Sequence, residues 1–96
     1  MPANSSPEGL VVRSVVLAKH LHARPAGQVA VLSARHPRTT VELAASGRRV
    51  NARSVLAVMG LGAVTGSQVQ VIVAGDNAAA IADEIVDILD KPDLDE

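Results

Sequence analysis

The sequence contains no phenylalanine, tryptophan or tyrosine. Its core must therefore be assembled from Val, Ile, Leu, Ala and Met. The rings on which single-stranded nucleic acids and sugars stack are missing, which argues against both as ligands. Cysteine is also absent, excluding disulfides, zinc–thiolate centres and thiol catalysis. No apolar run approaches the roughly 20 residues needed to span a bilayer. Residues 1–9 are polar with no basic start, so neither a leader nor membrane insertion is expected, and the cytoplasm is the expected location.

What is present fits one small domain. The 96 residues are 48% hydrophobic with a net charge of −1. The charge is unevenly spread. From Gly9 to Gly60 the bases are Arg13, Lys19, Arg24, Arg35, Arg38, Arg48, Arg49 and Arg53, against Glu42 alone. After Gly60 the acids are Asp76, Asp83, Glu84, Asp87, Asp90, Asp93, Asp95 and Glu96, against Lys91 alone. Such asymmetry either steers acidic ligands toward one half or is ordinary solvated surface.

Residues 1–9 read as a loose tail and 91–96 as an acidic, fraying one, leaving 10–90 as the domain. The β-branched run 10–17 (LVVRSVVL) predicts a strand. A turn over 20–25 leads into a helix, because proline is tolerated only in a helix's first turn and Pro25 sits there. Ala26, Val29, Ala30 and Ser33 form its small-residue ridge, and Pro37 stops it. Alternation over 40–45, the Ser46-Gly47 turn and 48–52 predict a hairpin. Ser54 is a good N-cap for the apolar segment 55–59, with Gly60 as its terminator. Residues 67–74 alternate cleanly as a strand. Gly75, Asp76 and Asn77 turn into a last helix whose buried stripe is Ala78, Ile81, Ala82, Ile85, Ile88 and Leu89. The order β-α-β-β-α-β-α predicts an α+β domain, a sheet with helices on one face.

The middle helix is apolar all round. At about 100° per residue, Val55, Leu56 and Met59 share one arc, and Ala57, Val58 and Leu61 lie opposite. One side can bury on the sheet. The other is left as a docking face for a partner, or as exposed residues covered by loops.

The chemistry concentrates in K19-H-L-H-A-R-P-A26. His22 stands where a helix begins, at the positive end of the macrodipole. The N–H groups of Ala23 and Arg24 would point out of the helix start, ready for an anion. Arg24 adds a guanidinium fork that matches phosphate oxygens, and a neutral imidazole is a competent nucleophile. Two readings stand on these residues alone: a polar helix cap, and a site that accepts and releases phosphoryl groups. The His20–His22 pair lacks a third ligand nearby, so no metal is expected. A module gripping nucleic acid through the basic half is disfavoured by the missing aromatics and near-neutral charge.

The stretch L21-H-A-R-P-A26 resembles the active-site signature of HPr, the histidine phosphocarrier family of the phosphoenolpyruvate-dependent sugar phosphotransferase system. S54-V-L-A-V-M-G-L-G62 is similar to the family's second signature. The resemblance runs from about Leu10 to Leu89. It implies an open-faced β-sandwich, a four-stranded antiparallel sheet with three helices on one face. It also implies a carrier with no cofactor that acts as a co-substrate rather than an enzyme. His22 would be phosphorylated on Nδ1 by Enzyme I, with Arg24 contacting the phosphate, and would pass the group to the A component of sugar permeases. Ala23, Gly27, Val55, Leu56 and Met59 would border the docking surface of a monomer. Ser54 matches the position that a dedicated kinase phosphorylates in some members, and it is equally explained as a cap only. A regulatory paralogue in nitrogen or catabolite control would share the His22 chemistry. One residue departs from the pattern: His20 stands where the family usually has Gly, which would be strained if that site needed a positive φ.

Overall fold

A computed structural model describes residues 9–92. Of the tails expected at 1–9 and 91–96, residues 1–8 and 93–96 lie outside the described residues. The chain forms β1 (Leu10–Val16), α1 (Ala23–Ala34), β2 (Thr39–Ala45), β3 (Arg48–Asn51), α2 (Val55–Gly60), β4 (Gln68–Gly75) and α3 (Ala78–Asp90). The strands make one antiparallel sheet in the order β1-β4-β2-β3. The element order, sheet and helices agree with the fold expected from the sequence.

Alternation on the strands sets which face is buried. Val41 pairs with Val73 and Leu43 with Val71 across β2 and β4, while Val15 of β1 pairs with Val69. All six are buried on the helix-covered face. Ala26 and Val29 of α1 and Ile81, Ile85 and Leu89 of α3 close over them. The other face carries exposed Leu10 and Val12 together with Ser14 and Gln70. The stripe expected on α3 is inward except at Ile88, which is half buried. Arg13 of β1 reaches Asp83 of α3 at 3.1 Å, an exposed ion pair between the helix and the edge strand.

Two joints hold the helices to the loops between strands. The α3 end meets the segment after β1, where the Ala18 N–H donates to the Leu89 carbonyl at 3.2 Å. The β4–α3 turn passes tightly under the start of β2. Gly75 has φ +125, and a Cβ there would lie 2.7 Å from the Arg38 carbonyl oxygen. Buried Thr39 locks this crossing by donating its hydroxyl to the Asp76 carbonyl at 2.8 Å.

The terminator of α2 differs from the expected one. Gly60 remains helical and Leu61 is the αR C-cap. The left-handed residue is Gly62, φ +66, whose N–H reaches the Met59 carbonyl. The reason is burial: Leu61 is a core residue, and carrying the helical path one residue further delivers its side chain inward before glycine turns the chain.

Candidate functional site

The segment between β1 and α1 is pinned at both ends. Leu17 and Leu21 are buried at 2% and 4% exposure. The Leu17 N–H donates to Ser67, the Gly66 N–H donates to Leu17, and the Leu21 N–H donates to Ala63 at 3.1 Å. Chain 17–21 is thus laced to the loop that follows α2. With Leu21 sunk in the core, the next residue, His22, is set outward and exposed.

His22 is the N-cap of α1, with extended backbone (φ −93, ψ −165). Its carbonyl accepts the Ala26 N–H at 3.1 Å, the first bond of the helix. Its imidazole makes no capping hydrogen bond to the helix. The N–H groups of the first turn have no carbonyl within the helix to receive them. That turn contains no acid, and Arg24 places a cation in it. Ala23 and Arg24 are exposed, while Pro25 is buried in the first turn. The result is an outward imidazole, peptide donors and a guanidinium at the positive end of a 12-residue helix, an arrangement suited to a phosphate.

The second signature builds a neighbouring surface. Ser54 caps α2, its Oγ accepting the Ala57 N–H at 3.1 Å. At the other end of α2, Arg48 donates to the Gly60 carbonyl at 2.9 Å. Held at both ends, α2 buries Val58 and turns Leu56 outward at 81% exposure and Met59 at 37%. Val55, expected on the same outward arc, is half buried and packs against the core. The outward apolar pair is therefore Leu56 and Met59. Helices α1 and α2 pack against each other, and Gly27 of α1 is half buried with open space where a Cβ would stand.

His20 is not strained. Among the described residues only Ser46 and Asn77 combine a side chain with positive φ. The His20 ring instead crosses to the loop after α2, its Nδ1 lying 3.0 Å from the Thr65 N–H and 3.3 Å from the Thr65 hydroxyl. The departure from glycine at position 20 is the one sequence signal of this bond.

Several bases of the N-terminal half turn out to be structural. Arg13 pairs with Asp83, Arg48 holds the end of α2, and Arg49 pairs with Glu42 at 2.7 Å. Arg53 donates to the carbonyls of His36 and Thr39 at 2.8 and 2.9 Å, tying the α2 entrance to the α1–β2 connection. These bonds account for much of the asymmetry without an acidic ligand. Nothing in composition or periodicity marks a lone arginine as a clamp on distant carbonyls.

Comparison with known proteins agrees with the fold. The family model described as the PTS HPr component phosphorylation site covers residues 13–91. No curated protein matches the sequence significantly. Among solved structures, phosphocarrier protein HPr from Bacillus anthracis superimposes with a TM-score of 0.78 at 24% identity, over 85% of this chain and 99% of that one. HPr-C-His from Thermoanaerobacter tengcongensis gives 0.70 at 25% identity, over 83% and 89%. The catabolite-repression protein Crh of Bacillus subtilis, described as a domain-swapped dimer, gives 0.66 at 26% identity over 93% of both chains. With its fold shared by these structures and most of its length covered by the family model, the chain belongs to the PTS HPr family.

Proposed function

We propose that this chain is a phosphocarrier that takes a phosphoryl group from phospho-Enzyme I onto Nδ1 of His22 and passes it to the A component of sugar permeases. The observation that supports it best is the exposed His22 imidazole at the N-terminus of α1, beside Arg24 and the first-turn N–H groups. In the forward step the His22 nitrogen lone pair forms a bond to phosphorus as the bond from phosphorus to Enzyme I breaks. The second ring nitrogen keeps its proton. The phosphoryl oxygens are received by the Ala23 and Arg24 N–H groups and by the Arg24 guanidinium, donors fixed before the group arrives. The reverse exchange at the next partner releases it, so the chain is a co-substrate of phosphotransferases. Leu56 and Met59, with Ala23 and Gly27 at the border and Val55 beneath, form the surface on which partners dock.

Incubation with phosphoenolpyruvate and Enzyme I should add one phosphoryl group by mass to the wild type and none to His22→Ala. A wild type that gains none, or a His22→Ala protein that gains the same, refutes the proposal.

A regulatory paralogue is the second reading, favoured by the likeness to Crh over 93% of both chains. Sugar uptake that survives deletion of the gene would select it. In either case Ser54, exposed at the α2 entrance, is the candidate for a serine kinase and its opposing phosphorylase. A phosphate there adds charge beside Leu56 and weakens docking.

A further inference from the structure

The segment that presents His22 is laced to the loop after α2 by backbone bonds at Leu17 and at Leu21. Between those rungs the chain bends over Ala18 and Lys19 and carries no regular structure. The His20 side chain crosses the gap. The His20 Nδ1 receives the Thr65 N–H at 3.0 Å, with the Thr65 hydroxyl at 3.3 Å.

A backbone N–H only donates, so Nδ1 must present its lone pair, and in the neutral ring the proton resides on Nε2. This assignment has two consequences. The Nδ1 lone pair of His20 is engaged, so His20 does not compete with His22 as a phosphoryl acceptor through that nitrogen. The ring also supplies the missing rung of the lacing, two residues before the reacting imidazole.

We infer that His20 is a positioning residue for phosphoryl transfer, its imidazole latching the His22 segment to Thr65 of the loop after α2. The inference rests on the carrier reading given above. Its effect is pre-organisation. With the latch closed, residues 17–22 approach α1 along one path and the His22 ring is offered in one orientation to the incoming phosphorus. With it open, the segment remains anchored at Leu17, Ala18 and Leu21, but residues 19 and 20 sample more conformations. The docking pair Leu56 and Met59 lies on a different element, so the latch should act on the transfer step and not on partner affinity.

Three proteins test this: the wild type, His20→Leu and His20→Asn. Leucine fills the space without an acceptor. Asparagine places an oxygen at the same branch point as Nδ1 and can receive the Thr65 N–H. In the wild type the ring nitrogens of His20 should report an Nε2–H tautomer by 15N NMR, and the Thr65 amide should be slow to exchange. In His20→Leu, Thr65 should exchange faster, and kcat for phosphorylation by Enzyme I should fall about threefold to tenfold, the range spanned by one modest hydrogen bond, with KM within about twofold of wild type. His20→Asn should recover both amide protection and kcat. Unchanged kcat in His20→Leu, or no recovery in His20→Asn, overturns the positioning role. Unchanged Thr65 exchange in His20→Leu shows that the latch does not form. A wild type that accepts no phosphoryl group at all refutes the carrier reading, and the positioning role falls with it, whatever Thr65 does.

Discussion

Leu56 and Val58 lie two residues apart on one short helix, and truncating each to alanine should produce opposite outcomes. Fully burying a leucine side chain is worth about 1.5–3 kcal/mol. Leu56 is 81% exposed, so folding realises only a small part of that, leaving roughly 1–2 kcal/mol for a partner that covers it. Leu56→Ala should therefore leave the melting temperature within about 2–3 °C of wild type. It should raise KM for phosphorylation by Enzyme I about 5- to 30-fold. Val58 is 0% exposed. Removing its two methyl groups loses about 0.8 kcal/mol each plus a cavity term, near 2 kcal/mol in all. For a domain of this size that lowers the melting temperature by about 8–16 °C. Measured well below its midpoint, the folded Val58→Ala protein should keep a KM close to wild type, because the residue faces the core. Calorimetry and initial-rate kinetics on the two variants decide the matter. A Leu56→Ala protein with unchanged KM refutes the docking assignment. A Leu56→Ala protein as unstable as Val58→Ala refutes the burial argument beneath it.

Ser54→Ala removes the Oγ that caps α2 and should destabilise the domain by about 0.5–2 kcal/mol in chemical denaturation, whereas Ser54→Asp should hold the cap and weaken Enzyme I binding through its charge. Gly27→Ala adds a Cβ into open space on α1, so it should raise stability by about 0.5–1 kcal/mol. If Gly27 borders the docking surface, the same variant should also raise KM for Enzyme I, so that a gain in melting temperature accompanies a loss of affinity. Gly75→Ala should lower stability by more than about 2 kcal/mol, since its φ of +125 disfavours any side chain and the new Cβ would press to 2.7 Å of the Arg38 carbonyl oxygen. A Gly75→Ala protein that melts with the wild type would show that this crossing relaxes freely.

The strands and helices were legible because their patterns are local. The valines of β4 alternate, and the inward ridge of α1 recurs at helical spacing, so period alone identifies each face. The Ser54 cap was legible because a cap bond spans only three residues. Legibility failed where a contact joins distant parts of the chain. The bonds from Arg53 to His36 and Thr39, and from His20 to Thr65, link residues 14 to 45 positions apart. No local pattern encodes them. The glycine that ends α2 lies two residues beyond the expected one for the same reason: both Gly60 and Gly62 follow the apolar segment, and only the burial of Leu61 chooses between them.

The one-sided sheet also explains how so small a domain can keep the proposed transfer site apart from the residues that stabilise it. All helix-facing strand valines and leucines are spent on a single core, and α1 contributes to that core through Ala26 and Val29. The N-terminal end of α1 is thereby anchored by its own buried face, while His22, Ala23 and Arg24 remain exposed. Residues that fix the helix and residues that would meet a phosphate are different residues on the same element. Helix α2 repeats the division, with Val58 inward and Leu56 outward. Substitution of the outward set should change transfer and docking with little effect on folding, and substitution of the inward set should do the reverse. His20 stands at the border of the two sets. It is exposed, yet its bond to Thr65 is structural. It is therefore the position at which a small structural change should register most directly in the rate of transfer.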